Sequence, residues 1–170
     1  MGSTISDVED ETIADESVDE REREDELRAA LASVAAGIVG TTLMTLVLVV
    51  VNAVYGPSLD VFGTLAELAG GGSNVPLGFV LFFGAGAVAW PLLFVTLGAY
   101  LPGKTRPRQG MVFAAILWTG FVTAFATRYT GSDLVVFFVF SIVTHLVYGF
   151  LLGFVSARLT GHYERPEIAV

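Results

Sequence analysis

The chain divides into long apolar stretches separated by short polar segments. Four stretches contain no Asp, Glu, Lys or Arg, and they cover residues 29–59, 68–103, 109–127 and 134–157. Each stretch is long enough for one membrane helix, because about 20 apolar residues rising about 1.5 Å each cross a hydrocarbon core of about 30 Å. The pattern therefore predicts four transmembrane helices, with cores near residues 31–54, 77–100, 109–127 and 134–157.

The residues outside these stretches complete the predicted organisation. Residues 1–28 hold twelve of the 17 acidic and three of the nine basic residues of the chain. A segment so charged buries too little apolar surface to fold, so we predict a disordered acidic cytoplasmic tail. Residues 29–160 form the transmembrane domain, and residues 161–170 form a short cytoplasmic tail. The predicted fold class is an all-α integral membrane protein, a four-helix bundle with a disordered acidic N-terminal tail.

Composition agrees with the pattern. Hydrophobic residues make up 54% of the chain, against roughly 45–50% in soluble globular proteins, so a water-soluble enzyme is excluded. The expected partner is the lipid bilayer, and no nucleic acid is expected. The acid-rich tail and the excess of Arg over Lys are typical of a protein from a salt-loving organism.

Basic residues predict the orientation, because cytoplasmic loops retain Lys and Arg. With four spans both termini lie on one side, and eight of the nine basic residues then share that side: Arg21, Arg23, Arg28, Lys104, Arg106, Arg108, Arg158 and Arg165. Arg128 alone faces the other way. We therefore predict a multi-pass protein of the cell membrane with both termini in the cytoplasm.

Candidate chemistry is sparse. The chain has no cysteine and two histidines, which excludes disulfides, thiolate nucleophiles and cysteine-ligated metals, and no metal site is predicted. The segment Gly98–Thr105 (GAYLPGKT) fits the letter pattern of a nucleotide-binding P-loop. A P-loop needs a strand before it and a helix after it, whereas a membrane helix precedes this segment and Pro107 follows it. We interpret the match as a false positive and expect neither nucleotide binding nor enzymatic activity.

Small residues mark the predicted packing faces. Residues at intervals of four occupy one stripe of a helix. Such a stripe in span four contains Ser141, His145, Gly149 and Gly153, and a second one in span one contains Ala36 and Gly40. Small residues let membrane helices approach closely. We expect spans one and four to pack against each other or across a dimer interface.

His145 is the one ionisable group that the sequence places deep in a span. Three roles stay open: a hydrogen bond to a threonine of another helix, ligation of haem, and handling of protons or ions. Haem would need a second axial ligand, for which Met44 in span one is the candidate. No cofactor is predicted beyond this haem alternative.

Two further features concern the backbone. Trp90-Pro91 predicts a kink in span two, because proline removes a backbone hydrogen bond. Residues 58–69 (SLDVFGTLAELA) have apolar positions at helical spacing, which predicts a short interfacial helix capped by Ser58.

The chain resembles a family of small haloarchaeal four-helix membrane proteins of unknown function, some of which are labelled as cytochrome c oxidase subunits. The resemblance rests on residues 37–45 (GIVGTTLMT), the turn 101–103 (LPG) with Gly110 and Trp118, and residues 145–149 (HLVYG) with Gly153. A haem-copper catalytic subunit needs far more histidine ligands and spans than this chain has, so the label implies an accessory subunit at most.

These observations lead to one functional hypothesis and two alternatives. We expect a non-catalytic integral membrane protein, an accessory or structural subunit that packs against itself or a larger membrane complex, such as a respiratory one. The alternatives are a haem-binding electron carrier that uses His145 and a small oligomeric channel or transporter.

Overall fold

The computed structural model describes the backbone of residues 5–55 and 60–161, and side chains within residues 18–54 and 60–161. Every regular element in this part of the chain is helical. Four helical stretches are long and apolar enough to cross a membrane: Val18–Val54, Val75–Tyr100, Arg106–Arg128 and Gly131–Thr160. The predicted all-α bundle of four spans is therefore confirmed.

The first span belongs to helix α1, which covers Ile5–Tyr55. The backbone of residues 5–28 is thus helical in the structure, although the charge pattern predicts disorder there. Described side chains near the start of this region are largely exposed, as Val18 and Leu27 show with 50% and 62% of their surface accessible. A polar helix without packing partners is marginal in water, so the disorder of the tail in solution stays a prediction. Residues 162–170 of the C-terminal tail lie outside the described residues.

Helix α2 (Val61–Leu68) precedes the second span. Its cap is Asp60 rather than the predicted Ser58, because the Asp60 carboxylate accepts a hydrogen bond from the Gly63 N–H at 2.9 Å. Ser58 itself lies outside the described residues. The apolar face of α2 packs on the second span, where the Phe62 ring makes edge contacts with Phe79 and Phe82.

The second span is built from three successive helical pieces. Helix α3 (Val75–Gly84) leads into a π-helical segment (Ala85–Ala89), and helix α4 (Trp90–Leu97) follows. A 3-10 turn over Gly98–Tyr100 ends the span. The irregularity lies directly before Pro91, where the sequence predicts a kink, because Pro91 has no N–H to continue the ladder.

The third and fourth spans form a helical hairpin. Helix α5 (Arg106–Phe125) ends in a 3-10 turn over Ala126–Arg128, and helix α6 (Gly131–Thr160) returns beside it. Helix α6 ends at Gly161, whose φ of 77° is the left-handed conformation that favours glycine.

Helix α6 is the central helix of the bundle. It packs against α5 on one side and against α1 on the other, and α1 also packs against the π-helical segment and α4. One buried cluster joins all four spans in the half of the bundle that contains the α4–α5 turn: Ala36, Phe94, Phe113, Ala114, Tyr148 and Leu152. A second cluster lies toward the other end: Leu48, Val51, Val61, Phe125, Tyr129 and Phe137.

An ion pair joins the two loops at that other end. Arg128 Nη1 lies 2.8 Å from Glu67 Oε2, which links the 3-10 turn after α5 to helix α2. Beside it, burial and the Asp60 carboxylate raise the pKa of Tyr129, while the neighbouring Arg128 partly offsets the change. The α2 region and the α5–α6 connection therefore share one face of the bundle, as the predicted topology requires. The absolute orientation in the membrane stays a prediction.

Candidate functional site

A cleft of about 330 Å³ lies between the second and third spans. We call it the lateral cleft. One wall is formed by Phe82, Gly86 and Trp90 of the second span, and the facing wall by residues of α5 that include Gly120 and Phe121. Trp90 is 38% exposed, and no atom lies within 4 Å of the position of a Cβ on Gly120. The cleft is therefore accessible from the lipid-facing side of the bundle.

Helices α1 and α6 form the floor of the lateral cleft. Thr41 and Met44 contribute from α1, and His145 and Tyr148 contribute from α6. The sequence predicts that Met44 and His145 could share a site, and the structure places both on this floor. They also border a smaller neighbouring cavity.

The π-helical segment shapes one wall of the cleft through an unusual hydrogen-bond pattern. The Trp90 N–H donates to the Ala85 carbonyl, five residues earlier, and Pro91 has no N–H. The Gly86 carbonyl therefore lacks both the i+4 donor of an α-helix, because the Trp90 N–H is engaged with Ala85, and the i+5 donor of a π-helix, because residue 91 is proline. The Tyr148 hydroxyl of α6 donates to it instead, at 2.6 Å. This hydrogen bond satisfies the Gly86 carbonyl and links α6 to the second span.

Close backbone contact holds α1 against the same segment. A Cβ on Gly37 would overlap the ring of Pro91 and would lie 2.9 Å from the carbonyl oxygens of Ala87 and Gly86. A Cβ on Gly86 would overlap the Thr41 hydroxyl. Helix α1 therefore packs directly on the irregular backbone, and only small residues fit at these two positions.

His145 is buried, with 8% of its surface accessible. Its Nδ1 lies 2.8 Å from the carbonyl oxygen of Ser141, one turn earlier in the same helix. Since a carbonyl oxygen only accepts, Nδ1 carries the proton and Nε2 keeps its lone pair. The Nε2 atom has no hydrogen-bond partner among the described residues. The structure thus shows an intrahelical bond in place of the interhelical bond to threonine that the sequence leaves open.

Thr41 supplies a second polar atom without a partner. Its side chain is 1% exposed, and Oγ1 makes no hydrogen bond within the described part of the chain. Buried hydroxyl groups are normally hydrogen-bonded, since leaving one unpaired costs about 1–3 kcal/mol. Thr41 Oγ1 lies against Gly86 below the surface of the cleft, so His145 Nε2 is the polar atom on the floor that a bound molecule could satisfy.

The small residues of span four face α5 for the most part. A Cβ on Gly149 would overlap the Gly110 carbonyl and lie 2.5 Å from the Ala114 Cβ. A Cβ on Gly153 would overlap the backbone of Arg106 and approach that of Pro107. Small residues in span four thus serve the α5–α6 contact.

Span one meets span four through other residues. Ala36 is fully buried, and a Cβ on Gly40 would lie 2.8 Å from the Tyr148 ring. The two Oγ atoms of Ser33 and Ser156 are 3.2 Å apart and link the same two helices. Contact between spans one and four, which the sequence predicts, is present within the monomer.

Ser141 takes part in a second link between α5 and α6. The Trp118 indole N–H donates to Ser141 Oγ at 2.9 Å, and the Ser141 hydroxyl lies 3.2 Å from the Phe138 carbonyl. The Phe121 ring packs beside His145, with 5.0 Å between ring centroids. Ser141 therefore lies at a helix contact, and its carbonyl also orients the imidazole.

The P-loop-like segment forms a turn between two membrane helices. Helix α4 and a 3-10 turn precede it, and α5 begins at Arg106 with Pro107 in its first turn. The Arg106 guanidinium packs over the Phe94 ring, 5.8 Å from its centroid. The helix–turn–helix setting differs from the strand–loop–helix of a P-loop.

Comparison with known protein families identifies the family of this chain. A profile described as "Family of unknown function (DUF6789)" matches residues 27–167. The chain belongs to DUF6789. No curated protein and no solved structure matches it. The expected membership of a family of unknown function is confirmed.

The DUF6789 region contains all four spans and every residue that lines the lateral cleft, and it leaves most of the acidic segment outside. Among the cleft residues of this DUF6789 protein, sequence reasoning proposed His145 and Met44 for a common site and did not assign Thr41, Tyr148 or Gly120 to it. The available signal for Tyr148 was its spacing, one turn after Thr144 and beside His145. No group of three or more potential metal-ligating residues lies in the described ranges.

Proposed function

We propose that this DUF6789 protein is a non-catalytic, four-span membrane protein that holds a lipid-soluble molecule in the lateral cleft. The observation that carries the proposal is an apolar cleft of about 330 Å³ whose floor includes the imidazole of His145. This volume falls within the roughly 300–1,000 Å³ of small-molecule sites, which are typically apolar with a few placed polar groups.

The chemistry of the lining favours binding over catalysis. Its ionisable side chains are His145 and Tyr148, and the Tyr148 hydroxyl is already engaged with Gly86. No carboxylate, lysine or arginine is among the described residues that line the cleft. A lone neutral imidazole offers one acceptor but no second group with which to pass a proton in a reaction.

We assign the protein an accessory role in the membrane. It would hold the molecule for its own oligomer or for a larger membrane complex, of which a respiratory complex is the one that the resemblance suggests. Outward-facing apolar residues of α6 support such packing, since Val135, Val139 and Val143 are each more than half exposed and lie on one stripe.

Haem binding is the second candidate, and the placement of Met44 and His145 on one floor favours it. A ligating histidine commonly donates Nδ1–H to a carbonyl and binds the metal through Nε2, which is the arrangement at His145. The cleft lining is less suitable for the two propionates of haem, because it contains no cationic side chain. A neutral organic molecule fits this lining better.

Analysis of the molecules that co-purify with the protein tests the proposal. The full chain is purified in mild detergent, extracted with organic solvent, and analysed by mass spectrometry beside two variants. Gly120→Phe places a ring in the cleft, whereas Gly84→Phe places the same ring at another helical glycine that also has open space and does not line the cleft.

We expect a lipid-soluble compound that co-purifies with wild type and with Gly84→Phe but is depleted from Gly120→Phe. Equal recovery from all three proteins would overturn the proposal. A Soret absorption band that disappears in His145→Leu would instead establish the haem candidate.

A further inference from the structure

We infer that the lateral cleft selects molecules whose polar end is a hydroxyl group, such as a phenol, a quinol or a long-chain alcohol. The inference rests on the proposed function and adds the chemical class of the ligand. It is carried by the fixed direction of the hydrogen bond at His145, whose imidazole lies on the floor of the cleft.

The imidazole can serve this ligand only as an acceptor. The Ser141 carbonyl, 2.8 Å from Nδ1, holds the ring proton on that nitrogen. Nε2 therefore presents a lone pair, and a neutral imidazole accepts a hydrogen bond there. The oxygen of a ligand carbonyl or ether only accepts hydrogen bonds, so its lone pair would be repelled by that of Nε2. A hydroxyl group would instead donate a hydrogen bond to Nε2.

The neighbouring polar groups of the floor leave His145 as the group that binds the ligand hydroxyl. The Tyr148 hydroxyl is occupied by the Gly86 carbonyl at 2.6 Å. Thr41 is 1% exposed and its hydroxyl lies against Gly86, so a ligand in the cleft does not reach it.

The walls indicate the shape of the rest of the molecule. Phe82, Phe121 and Phe125 contribute rings, Trp90 stands at the rim, and Leu117 and Met44 complete the apolar surface. Aromatic walls favour a flat ring, which packs against them in offset or edge contacts. A phenol-type head with an apolar tail that extends into the lipid combines these requirements.

A matched pair of probes tests the inference. 4-Nonylphenol carries the hydroxyl donor, and 4-nonylanisole is the same molecule with the donor replaced by a methyl ether. Their binding to the full-length protein in detergent micelles is measured by equilibrium dialysis against protein-free micelles, so that partition into detergent is subtracted. The variants are His145→Leu, His145→Gln and Gly120→Phe, with Gly84→Phe as the control.

We expect wild type to bind the phenol about fivefold to tenfold more tightly than the anisole, as loss of one hydrogen bond implies. His145→Leu should remove this preference. His145→Gln should retain it in part, because its amide oxygen offers an acceptor near the position of Nε2. Gly120→Phe should weaken binding of both probes, and Gly84→Phe should weaken neither.

The remaining outcomes separate the two proposals. Equal binding of both probes to wild type, blocked by Gly120→Phe, would overturn the hydroxyl preference and leave the proposed function standing. Binding of neither probe above the protein-free control would overturn both. If His145→Leu fails to fold, His145→Phe provides the second test, since it keeps a ring without an acceptor nitrogen and should remove the preference for the phenol.

Discussion

The hydroxyl group of Tyr148 donates a hydrogen bond to the carbonyl oxygen of Gly86 across 62 residues of sequence, at 2.6 Å. The π-helical register at Ala85–Ala89 and the missing N–H of Pro91 leave this carbonyl without a donor from its own helix. In lipid no water replaces the missing donor. One phenol thus satisfies an irregular backbone and holds one wall of the lateral cleft against its floor.

Tyr148→Phe tests this relationship. It removes the hydroxyl while keeping the ring, so the Gly86 carbonyl loses its donor, and we expect a loss of about 1–2 kcal/mol in the free energy of unfolding. Unfolding in mixed detergent and SDS micelles gives the measurement. Tyr100→Phe, at a residue that is 78% exposed, is the control and should change little. Equal stability of Tyr148→Phe and wild type would contradict the assigned role.

Gly149→Ala tests the contact between α5 and α6. The added Cβ would meet the Gly110 carbonyl and the Ala114 side chain, so the helices must separate, at a cost of about 1–3 kcal/mol. Gly120→Ala is the matched control, because its Cβ enters open space. We expect the control to stay within about 1 kcal/mol of wild type in the same unfolding assay. A control that is destabilised as much as Gly149→Ala would show that loss of glycine, not contact, is responsible.

Cysteine labelling tests the orientation. The chain has no native cysteine, so single cysteines can be introduced at Ser73, Ser132 and Thr105. The distribution of basic residues predicts that an impermeant reagent added outside the cell reaches Ser73→Cys and Ser132→Cys but not Thr105→Cys. The Arg128–Glu67 ion pair already requires the first two to lie on one side. Labelling of Thr105→Cys alone would invert the assigned orientation.

Lys104→Ala tests the interpretation of the P-loop-like segment. Because this segment is a turn between two membrane helices, we expect no ATP binding by the purified wild type and an unchanged fold in the variant. Isothermal titration with Mg-ATP provides the measurement. Micromolar affinity that the substitution abolishes would show that the turn does bind nucleotide.

The sequence sufficed for the spans because their signal is local. A run without charges, such as residues 134–157, is long enough to cross the membrane whatever its neighbours are. The helix that packs against a stripe of small residues cannot be identified from the local sequence. The spacing of Gly149 and Gly153 predicts a close contact with another helix. It does not indicate that this helix is α5 rather than α1.

The candidate site was harder to predict for the same reason. The sequence identifies His145 as a polar residue near the middle of a span. The ring nitrogen that keeps its lone pair, however, depends on the Ser141 carbonyl of the folded helix. The lateral cleft depends on the separation of two spans and on the backbone register before Pro91. Thr41 and Thr45 of span one both have a buried hydroxyl without a partner among the described residues, and only the folded structure shows that Thr41 borders the cleft.

Photolabelling tests the central claim, occupancy of the lateral cleft, most directly. A small apolar diazirine, 3-trifluoromethyl-3-phenyldiazirine, is added to membranes that contain the full-length protein, activated by light, and located by peptide mass spectrometry. If the cleft holds lipid-soluble molecules, labelling concentrates on residues 117–125 and 82–90, and Gly120→Phe reduces it while Gly84→Phe does not. Labelling that is spread evenly over outward-facing residues such as Val135, Val139 and Val143, and is unchanged by Gly120→Phe, would contradict the account.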